Sequence, residues 1–154
     1  MKNVFSSALV TACCLLLVGC FGMAPTQVPI PAIQTTSTEA RNDTLVVMLP
    51  GRGDRADVFL REGFEQAGLR HGFDTVAVDA HLGYYMQRSL LERLHDDVIA
   101  PAREAGYETI WLLGISMGGL GTLLCASEYP DQVDGLVLLA PVLGDRSALE
   151  PRVA

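Results

Sequence analysis

The sequence predicts an α/β fold, a mostly parallel sheet with helices on both faces, and three observations carry that reading. Apolar-rich runs of strand length recur at residues 45–49, 73–78, 109–113 and 135–140, the first of them unbroken. Continuous apolar strands suit a parallel sheet buried on both sides, whereas half-solvated strands alternate. Segments with helical spacing separate the runs, so each parallel crossover has its connection. Every run also ends in a Gly-, Pro- or aromatic-rich loop, at the carboxyl end where open α/β sheets place their ligands.

The chain has 154 residues, room for one domain, but its start does not read as domain. Met1, Lys2 and Asn3 are followed by a mostly apolar stretch to Leu17, and Leu17-Val18-Gly19-Cys20 sets small residues before a cysteine. This is the pattern of a signal peptide over residues 1–19. The apolar run falls short of the roughly 20 residues of a membrane span. Its last four residues resemble the lipobox of bacterial lipoproteins, which implies that Cys20 becomes the N-terminus and carries lipid such as palmitate. The expected location is the bacterial cell envelope. Phe21 is not the aspartate that retains such proteins in the inner membrane, so the outer membrane of a Gram-negative cell is favoured.

Cys13 and Cys14 leave with the leader, and Cys125 is then the one free thiol, which excludes an intrachain disulfide framework. It reads as a small buried hydrophobe. Loss of Lys2 takes the formal charge from −7 to −8. That balance argues against nucleic acid as a partner and against electrostatic adhesion to anionic lipid.

Residues 20–43 hold Pro25, Pro29, Pro31, Thr35, Thr36 and Thr38 without a sustained period and read as a lipid-anchored flexible linker. Folding is expected to begin near Thr44. Pro50-Gly51-Arg52-Gly53-Asp54 stops the first strand, and Leu60, Phe64 and Ala67 give a helix over residues 56–67 that Gly68 ends. The second strand runs into Asp79-Ala80-His81-Leu82-Gly83-Tyr84-Tyr85. Ser89 and Glu92 match a capping box for a helix continued by Leu94, Val98, Ala102 and Ala105, which Pro101 should kink or shorten. After the third strand, Leu120, Leu123, Leu124 and Ala126 mark one side of a helix that Pro130 closes.

Gly114-Ile115-Ser116-Met117-Gly118-Gly119 joins that third strand to that helix. Small neighbours tolerate the sharp turn that exposes a serine hydroxyl, the arrangement of a nucleophile elbow. Acyl transfer needs such a hydroxyl together with donors that meet the developing oxyanion. The Met117 amide at the helix start supplies one. The loop after the first strand, where Gly51 and Gly53 allow close backbone approach, is placed to supply another. The same glycines would also serve a plain tight turn.

From about Thr44 to Asp145 the chain resembles the α/β-hydrolase family of esterases, lipases and thioesterases. The resemblance rests on the Ser116 elbow, on Pro50-Gly51-Arg52-Gly53 in the place of the family's His-Gly oxyanion loop, and on Leu138-Leu139-Ala140-Pro141. It implies Ser116 as nucleophile, the Met117 and Arg52 amides as oxyanion donors, and a domain over residues 44–154. Asp145, just past the fourth strand, is the candidate acid, and Gly51, Gly53 and His81 are expected to line the pocket. Pro50 departs from the family's histidine.

The family's triad runs Ser, acid, His along the chain, yet no histidine follows Ser116. His71, His81 and His95 all precede it. The expectation is an incomplete, truncated hydrolase domain of impaired activity. The substrate would be a small-molecule ester or thioester, with no cofactor and no metal. The last strand would be left as an uncovered apolar edge open to a protein partner. The alternative is a non-catalytic, lipid-anchored binding module on a degenerate hydrolase scaffold.

Overall fold

The computed structural model describes residues 24–144. The leader, Cys20 and Asp145 therefore lie outside the described residues. The sheet has five strands, β1 (Ala32–Thr35), β2 (Thr44–Leu49), β3 (Asp74–Val78), β4 (Thr109–Ile115) and β5 (Gly135–Leu139), in the order β1-β3-β2-β4-β5. The last four are parallel, and β1 pairs antiparallel with β3, Ala32 opposite Val78. The expected α/β architecture is therefore present, with one strand more than the four read from the sequence.

That extra strand corrects the linker. Residues 24–35 are a strap folded onto the domain, although their composition reads as a tether. The Asp79 amide donates to the Pro31 carbonyl (2.8 Å), the Ile30 amide donates to Asp97 (2.8 Å), and Ile30 itself enters the main core. Backbone pairing needs no particular side chains, so a Pro- and Thr-rich strand can hold a sheet edge.

Helices cover both faces. On one side lie α1 (Asp57–Arg61) and α2 (Phe64–Arg70). The predicted helix over 56–67 is thus two short ones, because Gly63 turns left-handed at φ 73°. Gly68 does not end α2 but is buried inside it, where a Cβ would stand 2.7 Å from the Thr75 methyl. This side leaves an apolar groove lined by Val46, Phe73, Trp111, Leu113 and Val137. β5 forms the sheet edge beside it among the described residues.

On the other side lie α3 (Leu82–Met86), α4 (Leu90–Leu94), a π turn (His95–Ile99), α5 (Ala100–Glu104) and α6 (Met117–Glu128), over the larger core. Pro101 falls in the first turn of α5, and the wider π turn just before it absorbs the missing N–H without a break. The capping box does not form. Ser89 keeps a helical backbone, and its buried hydroxyl has no partner.

α6 also presents another face than expected. Gly118, Gly121, Thr122 and Cys125 are buried, while Leu124 is exposed and Leu120 and Leu123 are half-buried. The helix lies so close to the sheet that only small side chains fit beneath it. Cys125 is buried there, and burial pushes its thiol up to about 11. Among the described residues no helix is long and apolar enough to cross a membrane.

Candidate active site

Ser116 stands between β4 and α6 with φ 52° and ψ −112°, a backbone that non-glycine residues rarely adopt. Such a conformation costs on the order of 1–3 kcal/mol and persists only where the surroundings over-determine it. Here they do. The Ser116 amide donates to the Leu139 carbonyl (2.9 Å), and its carbonyl accepts from the Gly119 and Val142 amides (3.0 Å each). The hydroxyl caps nothing in the helix that it opens. Strain is thus spent on holding at the carboxyl end of the sheet a half-buried hydroxyl that has no hydrogen bond among the described residues.

The surrounding glycines are steric requirements. A Cβ on Gly114 would overlap the Gly118 carbonyl, one on Gly118 would overlap the Leu49 carbonyl, and one on Gly119 would stand 2.7 Å from the Pro141 side chain. The elbow is therefore wedged among the ends of β2, β4 and β5. The β2 loop lies beside it, since a Cβ on Gly51 would be 3.7 Å from that of Ser116. A turn bond from the Asp54 amide to the Gly51 carbonyl (3.2 Å) and a positive φ at Gly53 shape that loop. Ser116, Met117, Gly51 and the loop carrying Arg52 thus gather at one point. Arg52 and Gly53 are exposed there, and Pro50 is buried.

His81 is placed differently. It follows β3, which β2 separates from β4 in the sheet. Its Nδ1 accepts from the Gly83 amide (3.1 Å) and its ring packs on Tyr84 at 4.7 Å, so the ring is committed to the start of α3. Burial, then the nearby Arg55, lowers its pKa against the opposing pull of Asp79. Arg55 and Asp79 pair at 2.6 Å. Among the described residues no hydrogen bond joins His81 to Ser116. His95 stacks on Tyr129 on the helical face, and His71 ends α2.

Sequence reasoning quoted Tyr85 but gave it no role. Its hydroxyl donates to the Met117 carbonyl (3.1 Å), which ties α3 to the first turn of α6. Burial pushes that phenol well above its ordinary value, so it remains a donor. Tyr85 lies on α3, after a strand two places from β4, and a contact 32 residues along the chain leaves no local signal. Among the described residues no cluster of His, Cys, Asp and Glu is arranged for a metal.

The model of the family described as serine aminopeptidase, S33, matches residues 40–154. A 2-hydroxy-6-oxononadienedioate/2-hydroxy-6-oxononatrienedioate hydrolase of Comamonas testosteroni is 34% identical over 117 residues, 67% of this chain and 38% of that protein. Among solved structures, a probable hydrolytic enzyme of Pseudomonas aeruginosa is 26% identical with a TM-score of 0.56, over 77% of this chain and 39% of the other. A monoacylglycerol lipase of Paleococcus ferrophilus shares the fold at 21% identity and TM-score 0.55, over 75% and 44%. The chain spans less than half the length of each of these proteins.

Proposed function

We propose that this chain, which belongs to the serine aminopeptidase S33 family of α/β hydrolases, supplies the nucleophile half of an ester or thioester hydrolase anchored by lipid on Cys20. In this reading Ser116 Oγ attacks the acyl carbonyl carbon, and the oxyanion is met by the Met117 amide and the Arg52 amide. Collapse expels the alcohol or thiol, and water then releases the acid from the acyl-enzyme. The observation that carries the reading is the strained Ser116 backbone beside Gly51, its hydroxyl without a hydrogen bond among the described residues.

The general base is the part that the described residues do not bring to Ser116. A serine without an adjacent imidazole stays protonated and attacks slowly. A soluble fluorophosphonate is therefore expected to label Ser116 slowly, added free imidazole to speed labelling, and Ser116→Ala to abolish it. A folded chain that stays unlabelled in imidazole would contradict the nucleophile assignment and favour the binding module.

A further inference from the structure

The strap that replaces the expected tether packs against α3, the helix that follows β3 at the carboxyl end of the sheet. The Gln27 amide donates to the Tyr84 hydroxyl (2.9 Å), and that hydroxyl donates back to the Gln27 carbonyl (3.1 Å). Thr26 bonds Gln87 (2.7 Å). The Ala24 carbonyl lies over Gly83 so closely that a Cβ there would be 2.8 Å from it. Tyr85, next to Tyr84, bonds the first turn of the helix that Ser116 opens. Four residue steps separate Cys20 from Ala24, a reach of at most about 14 Å. An acyl chain on Cys20 is thus leashed within that reach of the Ala24 end of the strap, beside α3, whose Tyr85 touches the helix that Ser116 opens.

The surface at that corner suits a bilayer. The net charge of the whole chain is −7, yet residues 24–38 contain no charged side chain, and residues 80–87 contain none besides His81, whose pKa is lowered. Val28 and Met86, in segments that these bonds join, are 74% and 63% exposed. The acids that border the strap, Asp57, Asp79 and Asp97, pair with Arg61, Arg55 and Arg93, and Arg88 just past α3 is cationic; the strap and α3 themselves carry no ion to desolvate, so their exposed apolar side chains gain by entering the interface.

We infer that the strap and α3 form the face that lies on the membrane holding Cys20, and that the substrate is an ester of an amphiphile carried in that membrane. This rests on the lipid anchor and the Ser116 nucleophile proposed above. A bilayer-borne ester reaches such a site by lateral diffusion, whereas a soluble ester gains nothing from the anchor.

The test uses the full-length, lipid-modified chain in phosphatidylcholine vesicles. Single cysteines, Met86→Cys at this corner and Glu108→Cys at the far end of the sheet, carry a fluorophore, and headgroup nitroxide lipids quench it. Cys125 is buried and does not compete for the label. Quenching several-fold stronger at 86 than at 108 is expected; equal quenching, or stronger quenching at 108, overturns the proposed face. In a second arm a spacer of about 24 Gly/Ser residues is inserted before Ala24, and Ser116 is labelled by a bilayer-embedded long-chain fluorophosphonate or by a soluble one. Because effective concentration falls roughly as the −3/2 power of tether length, the embedded-to-soluble ratio is expected to drop about twentyfold. An unchanged ratio overturns the substrate class. If neither reagent labels Ser116 even with free imidazole, the nucleophile reading fails, and quenching alone still decides the face. Loss of the intact chain from vesicles overturns the inference through its anchor.

Discussion

The two ends of the parallel sheet are built from different materials. At the amino ends, charged and amide groups are tied together by hydrogen bonds and ion pairs. Asp74, fully buried, accepts from the Ser37 amide (3.1 Å), the Asn42 amide (3.3 Å), the Asn42 side chain (2.8 Å) and the Tyr107 hydroxyl (2.8 Å). Arg103 donates to the Tyr107, Glu108 and Gln132 carbonyls and pairs with Asp134 at 2.6 Å, while Asp134 also accepts from the Ile110 amide. At the carboxyl ends the backbone is strained at Ser116 and Ala140, glycines sit where a Cβ would collide, and the serine hydroxyl has no hydrogen bond among the described residues. One end ties the loops down; the other holds the Ser116 hydroxyl in place by shape. Stability and reactivity should therefore respond to different substitutions.

The largest effect is expected at Gly118. A methyl group there would overlap the Leu49 carbonyl, and both partners are backbone, so neither can rotate away. Gly118→Ala should cost about 3 kcal/mol or more, the upper range of overpacking, in urea denaturation. It should also suppress fluorophosphonate labelling of whatever fraction remains folded, because the wedge that shapes Ser116 is displaced. A variant of native stability and labelling would break the claim that shape holds this end.

Asp74→Ala tests the opposite end. It leaves the Tyr107 hydroxyl and the loop amides without an acceptor, at roughly 2–3 kcal/mol. Labelling of Ser116, normalised to folded protein, should not change. Tyr107 should also titrate lower than in the native chain, where burial and then the Asp74 carboxylate push its phenol up to about 12. A labelling rate that falls in step with stability would show that the two ends are not separable.

This contrast also explains what the sequence disclosed. The elbow was legible because its steric demands are local. Gly114, Ser116, Gly118 and Gly119 record within six residues a turn that only small neighbours permit. The four parallel strands were legible as apolar-rich runs between turn residues, although only β2 and β3 are mostly buried and β5 is half-exposed along its length. β1 was not, since Ala32, Ile33 and Gln34 are exposed and the strand is held by backbone pairing that side chains do not encode. The inner face of α6 was misread because closeness to the sheet, not hydrophobicity, selects Gly118, Gly121 and Thr122 over the leucines. Tyr85 and Asp74 act across the fold, on partners 32 and 33 residues away, and leave no local mark.

The smallest expected effect sits at His81, where the strap meets the carboxyl end. Burial and Arg55 lower its folded pKa below the ordinary 6.5, so the unfolded chain takes up the proton first as pH falls. Within the window from 6.5 down to the folded value, stability should therefore decrease with acidification. Above 6.5 the ring is neutral in both states and contributes no slope. His81→Gln removes the titration, so its urea midpoint should vary less than that of the native chain between about one pH unit above and one below 6.5. Slopes rather than absolute midpoints are the measure, because the variant also loses the bond from Gly83 and the packing on Tyr84. Parallel curves would mean that His81 is not held neutral. A native chain that gains stability on acidification would mean that Asp79 outweighs burial and Arg55, and the corner beneath the strap would then carry a charge at low pH.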